Sequence, residues 1–526
     1  MRHLSSVELL SLDAATLQTK LESGAITSAE LVEQYLAQIE KHDKQGLSVN
    51  ALIAITPRQL LLTKAAELDK ERSEGKVRSK LHGIPILVKD AFITAPETGL
   101  PTTIGSFAFD DAKPARSARV IEKLESMGVI LLGKTNMNEL IGLKGFAPAN
   151  GWSAVGGQTR SAYIAFAKSD GDMGQSNPCG SSTGSAVSVS AGFAPLAIGT
   201  ETVGSVVQPG NRAGLFAMKP TVKSTLLDGV WPGTPNFDAI GGLTKSVLDL
   251  AVITASLLTP ERAESLPANG FETYLTKSFN GLRIGFLDQK IWTFPPDVLA
   301  STPETIAQMS EAYTAIMDLI KHQEGTKVLY PVQIPEVKDL DYKGELGILA
   351  VIFYEMRDNI ANFLERFNTT NVRSLEDLVQ FNKDHAEKEL PSDHPDQDWL
   401  VKGLESRPTK EHYEAALAHI RNTAGENGIA RLFAEEDLNL LAFPMDSGIA
   451  MIAAAAGYPI ATMPLGALLW NGRPFSLGIM ALPGREDLMF QFMSAFEASV
   501  EPRPLPPLLV EHNAELEMPS KSNFHL

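Results

Sequence analysis

The chain is expected to fold as an α/β protein: one large, mixed, twisted β-sheet covered by helices on both faces, with a helix-rich insertion. Three observations predict this. Short apolar runs of strand length recur at 83–90, 128–135, 196–199, 215–218, 282–286, 438–443, 460–463 and 475–481, with helical patterns between several of them. Apolar runs lacking polar alternation are buried on both faces, which requires a helical layer on either side of the sheet. A 44% hydrophobic and 21% charged composition over 526 residues supplies a large core under an ordinary polar surface. The stretch from about 260 to 436 is more charged and patterned for helices, as an insertion covering part of the core would be.

In order along the chain, Thr27-Ser28-Ala29-Glu30 has capping-box spacing and opens a helix carrying Leu31, Tyr35, Leu36 and Ile39. A charged helix over 60–72 leads to a basic loop near Lys80. The run 83–90 is a strand ending in Lys89-Asp90, and a helix over 117–126 precedes the strand 128–135. Thr302-Pro303-Glu304 starts a helix striped by Ile306, Met309, Tyr313, Ile316 and Ile320, and further helices are expected near 345–366 and 409–434. The whole chain, 1–526, reads as a single domain. Its parts are an N-terminal helical region (1–80), a core (81–255), the variable helical insertion (256–436) and a C-terminal part of the core (437–500).

Composition narrows the function classes. A formal charge of −17 with no long basic run disfavours a nucleic-acid partner. One cysteine, Cys179, rules out an intrachain disulfide and fits a reducing, cytoplasmic compartment. The N-terminus has no signal-like apolar run, and the uncharged stretch 448–470 is broken by Gly448, Gly457, Pro459, Pro464 and Gly466. A soluble protein with no membrane partner is expected, with a homodimer as the default assembly.

The stretch 180–205 holds the chemistry. Two knots of Ser, Thr and Gly flank an apolar connector, too hydrophobic for a flexible linker. Three patterns compete around it. Gly128-x4-Gly133-Lys134-Thr135 satisfies a phosphate-loop expression, but its intervening residues are themselves a strand, so no nucleotide is expected there. Gly180-Ser181-Ser182-Thr183-Gly184 matches a nucleophile elbow with Ser182 attacking, yet no strand leads into it. Its esterase triad would need partners such as Asp446 and His512, the latter in a Pro- and charge-rich tail. The ten histidines lie mostly in charged or terminal segments, and His385 and His394 match no metal-ligand spacing. A serine hydrolase here therefore needs another base, and a buried lysine with a lowered pKa can serve.

Lys89, Ser181 in Gly-Ser-Ser-Thr-Gly-Ser and Ser205 in Gly-Thr-Glu-Thr-Val-Gly-Ser together resemble the amidase signature family. Gly83-x-Pro85-x3-Lys89-Asp90, Gly133-Lys134-Thr135-Asn136-x2-Glu139, Lys219-Pro220-Thr221, Asp238-x2-Gly241 and Gly457-Tyr458-Pro459 follow in the family's order. The likeness covers about 15–255 and 435–500. It implies an amide-bond hydrolase acting on a small-molecule amide without metal or cofactor. Ser205 would be the nucleophile that forms an acyl-enzyme, and Ser181, held by a cis peptide, would relay protons to Lys89. The N–H groups of Thr202, Val203, Gly204 and Ser205 would form the oxyanion hole, and Ser182 would hydrogen-bond within the site. Val203, Val207 and Glu201 depart from the family's Gly, Arg and Asp, which puts the loop's fit and its acid–base pairing in question. The family also includes the glutamine amidotransferase component that acts on aminoacyl-tRNA, a second expectation beside the hydrolase.

Overall fold

The computed structural model describes residues 4–145, 150–167, 174–295, 298–299 and 301–517. Its centre is an eleven-stranded sheet: β1 (Leu52–Ile55), β2 (Pro85–Lys89), β3 (Ile130–Thr135), β4 (Leu196–Glu201), β5 (Phe216–Lys219), β6 (Ala239–Thr244), β7 (Arg283–Leu287), β8 (Lys327–Val332), β9 (Leu440–Pro444), β10 (Ile460–Ala467) and β11 (Pro474–Met480). Across the sheet they run β1-β3-β2-β4-β6-β5-β10-β11-β9-β7-β8. Two parallel blocks, β3-β2-β4 and β9-β7-β8, flank an antiparallel centre through β6, β5, β10 and β11. The mixed sheet expected from sequence is thus present. Strands β2, β3, β4, β5, β6, β9 and β11 are buried along their whole length, the condition their unbroken apolar runs encode.

Helices cover this sheet where the sequence places them. Helix α1 (Ser28–His42) opens on the Thr27/Glu30 capping box, each side chain accepting the other residue's N–H at 3.1 Å. Helices α2 (Arg58–Ser73) and α3 (Arg119–Ser126) follow. Helix α4 (Thr183–Ser190) is unlike them, since all eight of its residues are buried. Small side chains let it sit against the sheet. Its serine hydroxyls are satisfied locally: Ser185 Oγ lies 2.7 Å from Thr135 Oγ1 and 3.1 Å from the Ile198 carbonyl, while Ser188 and Ser190 bond back to their own helix. Thr183 Oγ1 has no hydrogen-bond partner among the described residues.

Beyond these come α5 (Val247–Leu257), α6 (Pro303–Lys321) and α7 (Gly347–Leu364). The helix expected over 409–434 is continuous, but its middle, Arg421–Ala430, winds as a π-helix between α-helical Lys410–Ile420 and Arg431–Glu435.

The helix-rich stretch 256–436 contributes β7, expected at 282–286, and β8 to the main sheet. Strands β1, β6 and β8 were not expected. Strand β6 carries Gly241 and Gly242, which weaken a strand signal, and β8 carries Pro331 on the sheet's edge, where a missing N–H is tolerated. Among the described residues, no helix is long and apolar enough to cross a membrane.

Candidate active site

Strands β2 and β4 are parallel neighbours, and their carboxyl ends meet the two serine-rich knots. This is the end of an open α/β sheet at which ligands bind. Lys89 is the last residue of β2 and fully buried. Its Nζ lies 2.6 Å from Ser181 Oγ, 3.0 Å from Ser182 Oγ, 2.9 Å from Thr200 Oγ1 and 3.3 Å from the Thr200 carbonyl. Removal from water pushes its pKa well below the usual lysine value, and only the fields of Asp238 and Glu201 oppose this.

A neutral amine has two N–H donors and one lone pair. The Ser182 hydroxyl donates to the Thr200 carbonyl at 3.1 Å, so Ser182 Oγ is available to accept from Lys89. With Thr200 accepting the second N–H, the lone pair is left for the Ser181 hydroxyl proton.

Ser181 follows a tight turn built by Cys179 and Gly180, with φ of 60° and 64°. Two consecutive left-handed residues reverse the chain here with a trans peptide before Ser181. The expected cis bond is absent, and the single cis peptide among the described residues joins Tyr330 to Pro331. Cys179 is buried, with its thiol pushed up by burial, and it forms part of the turn.

The knots are stitched together through the backbone. The Ser182 N–H donates to the Ser205 carbonyl at 3.1 Å, and the Asn138 N–H donates to the Ser181 carbonyl at 3.2 Å. Among the described residues no hydrogen bond joins the hydroxyls of Ser181 and Ser205. Both serines instead line one cavity of about 300 Å³, together with Gly180, Thr202 and Val203.

Residues 202–205 form the loop after β4, with Gly204 at φ 74°. Val203 has no left-handed backbone, so the β-branched residue fits this loop without strain. Among the described residues, the N–H groups of Thr202, Val203, Gly204 and Ser205 have no intramolecular acceptor. Two carboxylates fix the loop. Glu201 Oε2 accepts the N–H groups of Val206 (2.7 Å) and Val207 (2.9 Å), where the short helix Val207–Arg212 begins. Asp238 Oδ1 accepts the Thr202 hydroxyl at 2.6 Å, and its Oδ2 accepts the N–H groups of Gly233 and Thr234 at 2.8 and 2.9 Å.

Burial nevertheless raises the Asp238 pKa to about 7, and it brings the buried Lys219 down to about 8. Neither Lys219 Nζ nor Glu201 Oε1 has a hydrogen-bond partner among the described residues. The acid–base pairing in question under the loop is therefore replaced by carboxylate–amide bonds.

The competing patterns resolve physically. Ser182 is fully buried and committed to Lys89 and Thr200, so it faces no substrate. Asp446 is paired with Arg473 at 2.8 Å, and the His512 ring packs edge-on against His42. The esterase triad is not assembled. Lys134, from the phosphate-loop pattern, is a buried partner of Asp90 at 3.2 Å inside β3. His385 stacks on Phe381 and His394 on Trp152. Among the described residues no group of three or more His, Cys, Asp or Glu is placed to hold a metal.

Sequence reasoning missed most of the cavity wall. Asn138 and Asn150, joined by a 2.7 Å hydrogen bond, sit near the serines. Leu349 and Ile352 of α7, with Trp399 and Met451, also line the cavity. Nothing in a single sequence marks these apolar residues as lining a site.

The family model described as Amidase matches residues 30–490. The chain belongs to the amidase family. A Schizosaccharomyces pombe protein named for its likeness to amidases is 31% identical over 517 residues, covering 91% of this chain and 84% of that one. The crystal structure of peptide amidase from Stenotrophomonas maltophilia superposes with a TM-score of 0.81 at 30% identity, covering 94% of this chain and 98% of that one. A glutamyl-tRNA(Gln) amidotransferase component from Francisella philomiragia is 32% identical over 327 residues, 61% of each chain.

Proposed function

We propose that this amidase hydrolyses carboxylic amides through a Ser205 acyl-enzyme, with Ser181 and Lys89 as its proton relay. The observation that carries the proposal is the buried, depressed-pKa Lys89, 2.6 Å from Ser181 at a cavity that Ser181 and Ser205 share. Ser205 Oγ attacks the carbonyl carbon as its proton passes to Ser181 and the Ser181 proton passes to the Lys89 lone pair. The carbonyl oxygen becomes an oxyanion and accepts from the N–H groups of Thr202, Val203, Gly204 and Ser205. Lys89 returns the proton through Ser181 to the departing nitrogen, the C–N bond breaks, and ammonia or an amine leaves. Water then attacks the acyl carbon along the same relay, releasing the acid and restoring Ser205. Closure of the Ser181–Ser205 link belongs to the substrate complex, since such bonds often tighten only there.

Ammonia release from simple primary amides by the purified single chain tests this. Mass spectrometry of quenched enzyme should find an acyl adduct that Ser205→Ala lacks. An unchanged Ser205→Ala rate would remove the nucleophile assignment. The likeness to the amidotransferase component supports a second reading, in which ammonia is passed to a partner. It covers 61% of each chain, against 94% and 98% for the peptide amidase. Strict dependence of amide cleavage on an added partner would favour it.

A further inference from the structure

We propose that the cavity beside Ser205 selects an uncharged, apolar acyl group, with the α7 residues Leu349 and Ile352 and the ring of Trp399 as specificity determinants. The inference builds on the amidase reading for where the carbonyl sits. Its own basis is the make-up of the cavity wall. The polar residues are few and linked to one another: the Ser182 N–H donates to the Ser205 carbonyl, the Asn138 N–H donates to the Ser181 carbonyl, Asn150 is bonded to Asn138, and Thr202 lies on the Ser205 loop. The remaining wall is Ile141, Leu143, Leu346, Leu349, Trp399 and Met451, continued by Ile348 and Ile352. None of the described lining residues carries a charge.

Lys144, next in the chain to the lining residue Gly145, is taken up by its ion pairs with Glu139 and Glu389. Asp396 packs against Gly145 but is not among the lining residues. A charged acyl terminus would lose its hydration here with no counter-charge to replace it.

A cavity of about 300 Å³ holds roughly ten non-hydrogen atoms given ~30 Å³ for a water-sized group. That accommodates a carboxamide with a medium aliphatic chain or one aromatic ring. Leu349 is the informative wall residue, since it is only half-buried and lies at the margin of the core rather than within it.

Ammonia release from butanamide through heptanamide should rise in kcat/KM by about fourfold per methylene. Heptanamide should exceed its charged counterparts of equal chain length, 6-aminohexanamide and 5-carboxypentanamide, by about a hundredfold or more. Leu349→Asp should close at least about a tenfold part of the gap to the ammonium substrate and none of the gap to the carboxylate. Leu349→Ala, the milder change, should slow heptanamide and spare butanamide.

Equal wild-type rates for the neutral and charged amides would overturn the proposal, as would a Leu349→Asp enzyme slowed alike on all three. A wild-type preference for 6-aminohexanamide would overturn it too, and would point to Asp396. Calorimetric binding of the same amides to Ser205→Ala separates this proposal from the catalytic one. The neutral-over-charged ranking must persist in binding even if no amide is turned over, and its absence there rejects the proposal.

Discussion

Lys89 Nζ and Ser181 Oγ stand 2.6 Å apart although 92 positions separate them in the chain. The contact forms because β2 delivers Lys89 beside β4, while α4 begins at the same carboxyl edge. Burial then decides what the contact can do. A lysine held neutral is a base, whereas a charged one would only be a hydrogen-bond donor.

The first prediction concerns pH. Lys89 is lowered from the lysine range, so it is neutral at the alkaline end and is protonated as pH falls through its folded value. The kcat/KM profile should therefore have an acid limb and rise with pH. Lys89→Met should lower kcat by about 10⁴-fold, the upper range for a general base. Lys89→Arg should do no better, because a guanidinium does not deprotonate. A Lys89→Arg enzyme with near-normal rate would refute the base assignment.

Serine substitutions should rank in a defined order. Ser205→Ala and Ser181→Ala each should remove activity by about 10³-fold or more, with the fold intact by circular dichroism. Ser182→Ala should act mainly on stability. It leaves the Thr200 N–H, a Lys89 N–H and the Thr200 carbonyl short of a partner, a cost of about 1–3 kcal/mol in denaturant melts.

Asp238 should behave as a positioning residue acting through Thr202. Its carboxyl titrates near 7 and is ionised above that, so protonation on the acid side weakens its hold on the loop. Asp238→Asn should reduce kcat by about 10–100-fold with little change in KM, the pattern of a displaced oxyanion donor. It should also remove one ionisation from the acid limb, which a purely structural role would leave in place.

The loop's other carboxylate makes a parallel case. Glu201→Ala strips acceptors from Val206 and Val207, costing about 2 kcal/mol of stability. Glu201→Gln retains one carbonyl acceptor and should recover most of it. Equal melting temperatures for the two variants would count against this account.

A buried charge cluster ties α7's neighbourhood to the core. Lys144 pairs with Glu139 and with Glu389, and the Lys144 carbonyl accepts the Trp399 N–H at 3.2 Å. Burial drives the Glu139 pKa well above the usual carboxylate range. Lys144→Met removes the cation that these two buried carboxyl groups share, leaving them only their hydrogen bonds from Ser106, Phe107 and Ala154, so it should destabilise by about 3–5 kcal/mol. Adding Glu389→Gln to Lys144→Met should restore part of that loss, read as a rise in melting temperature.

Much of this was legible in the primary structure. Lys89, Ser181 and Ser205 could be named because their spacing repeats an ordered set of motifs, and the strands could be placed because doubly buried β-structure is uniformly apolar. The strands that escaped notice are those with weak local signals: glycine-bearing β6, edge strand β8 and the short β1. The cis peptide before Ser181 is a different case: it was implied by the resemblance, and this chain instead turns through left-handed Cys179 and Gly180.

By itself, then, the sequence determined the α/β class, the family and the candidates for the reacting groups, all properties of residue type and local order. Only the tertiary structure decided the full burial of Lys89, the backbone of Val203 outside the left-handed region and the commitment of Ser182 to a buried role. It also decided that Leu349, Ile352, Trp399 and Met451 converge on one cavity. The physical reason is that desolvation and cavity shape depend on atoms brought together from distant parts of the chain, which no local pattern records.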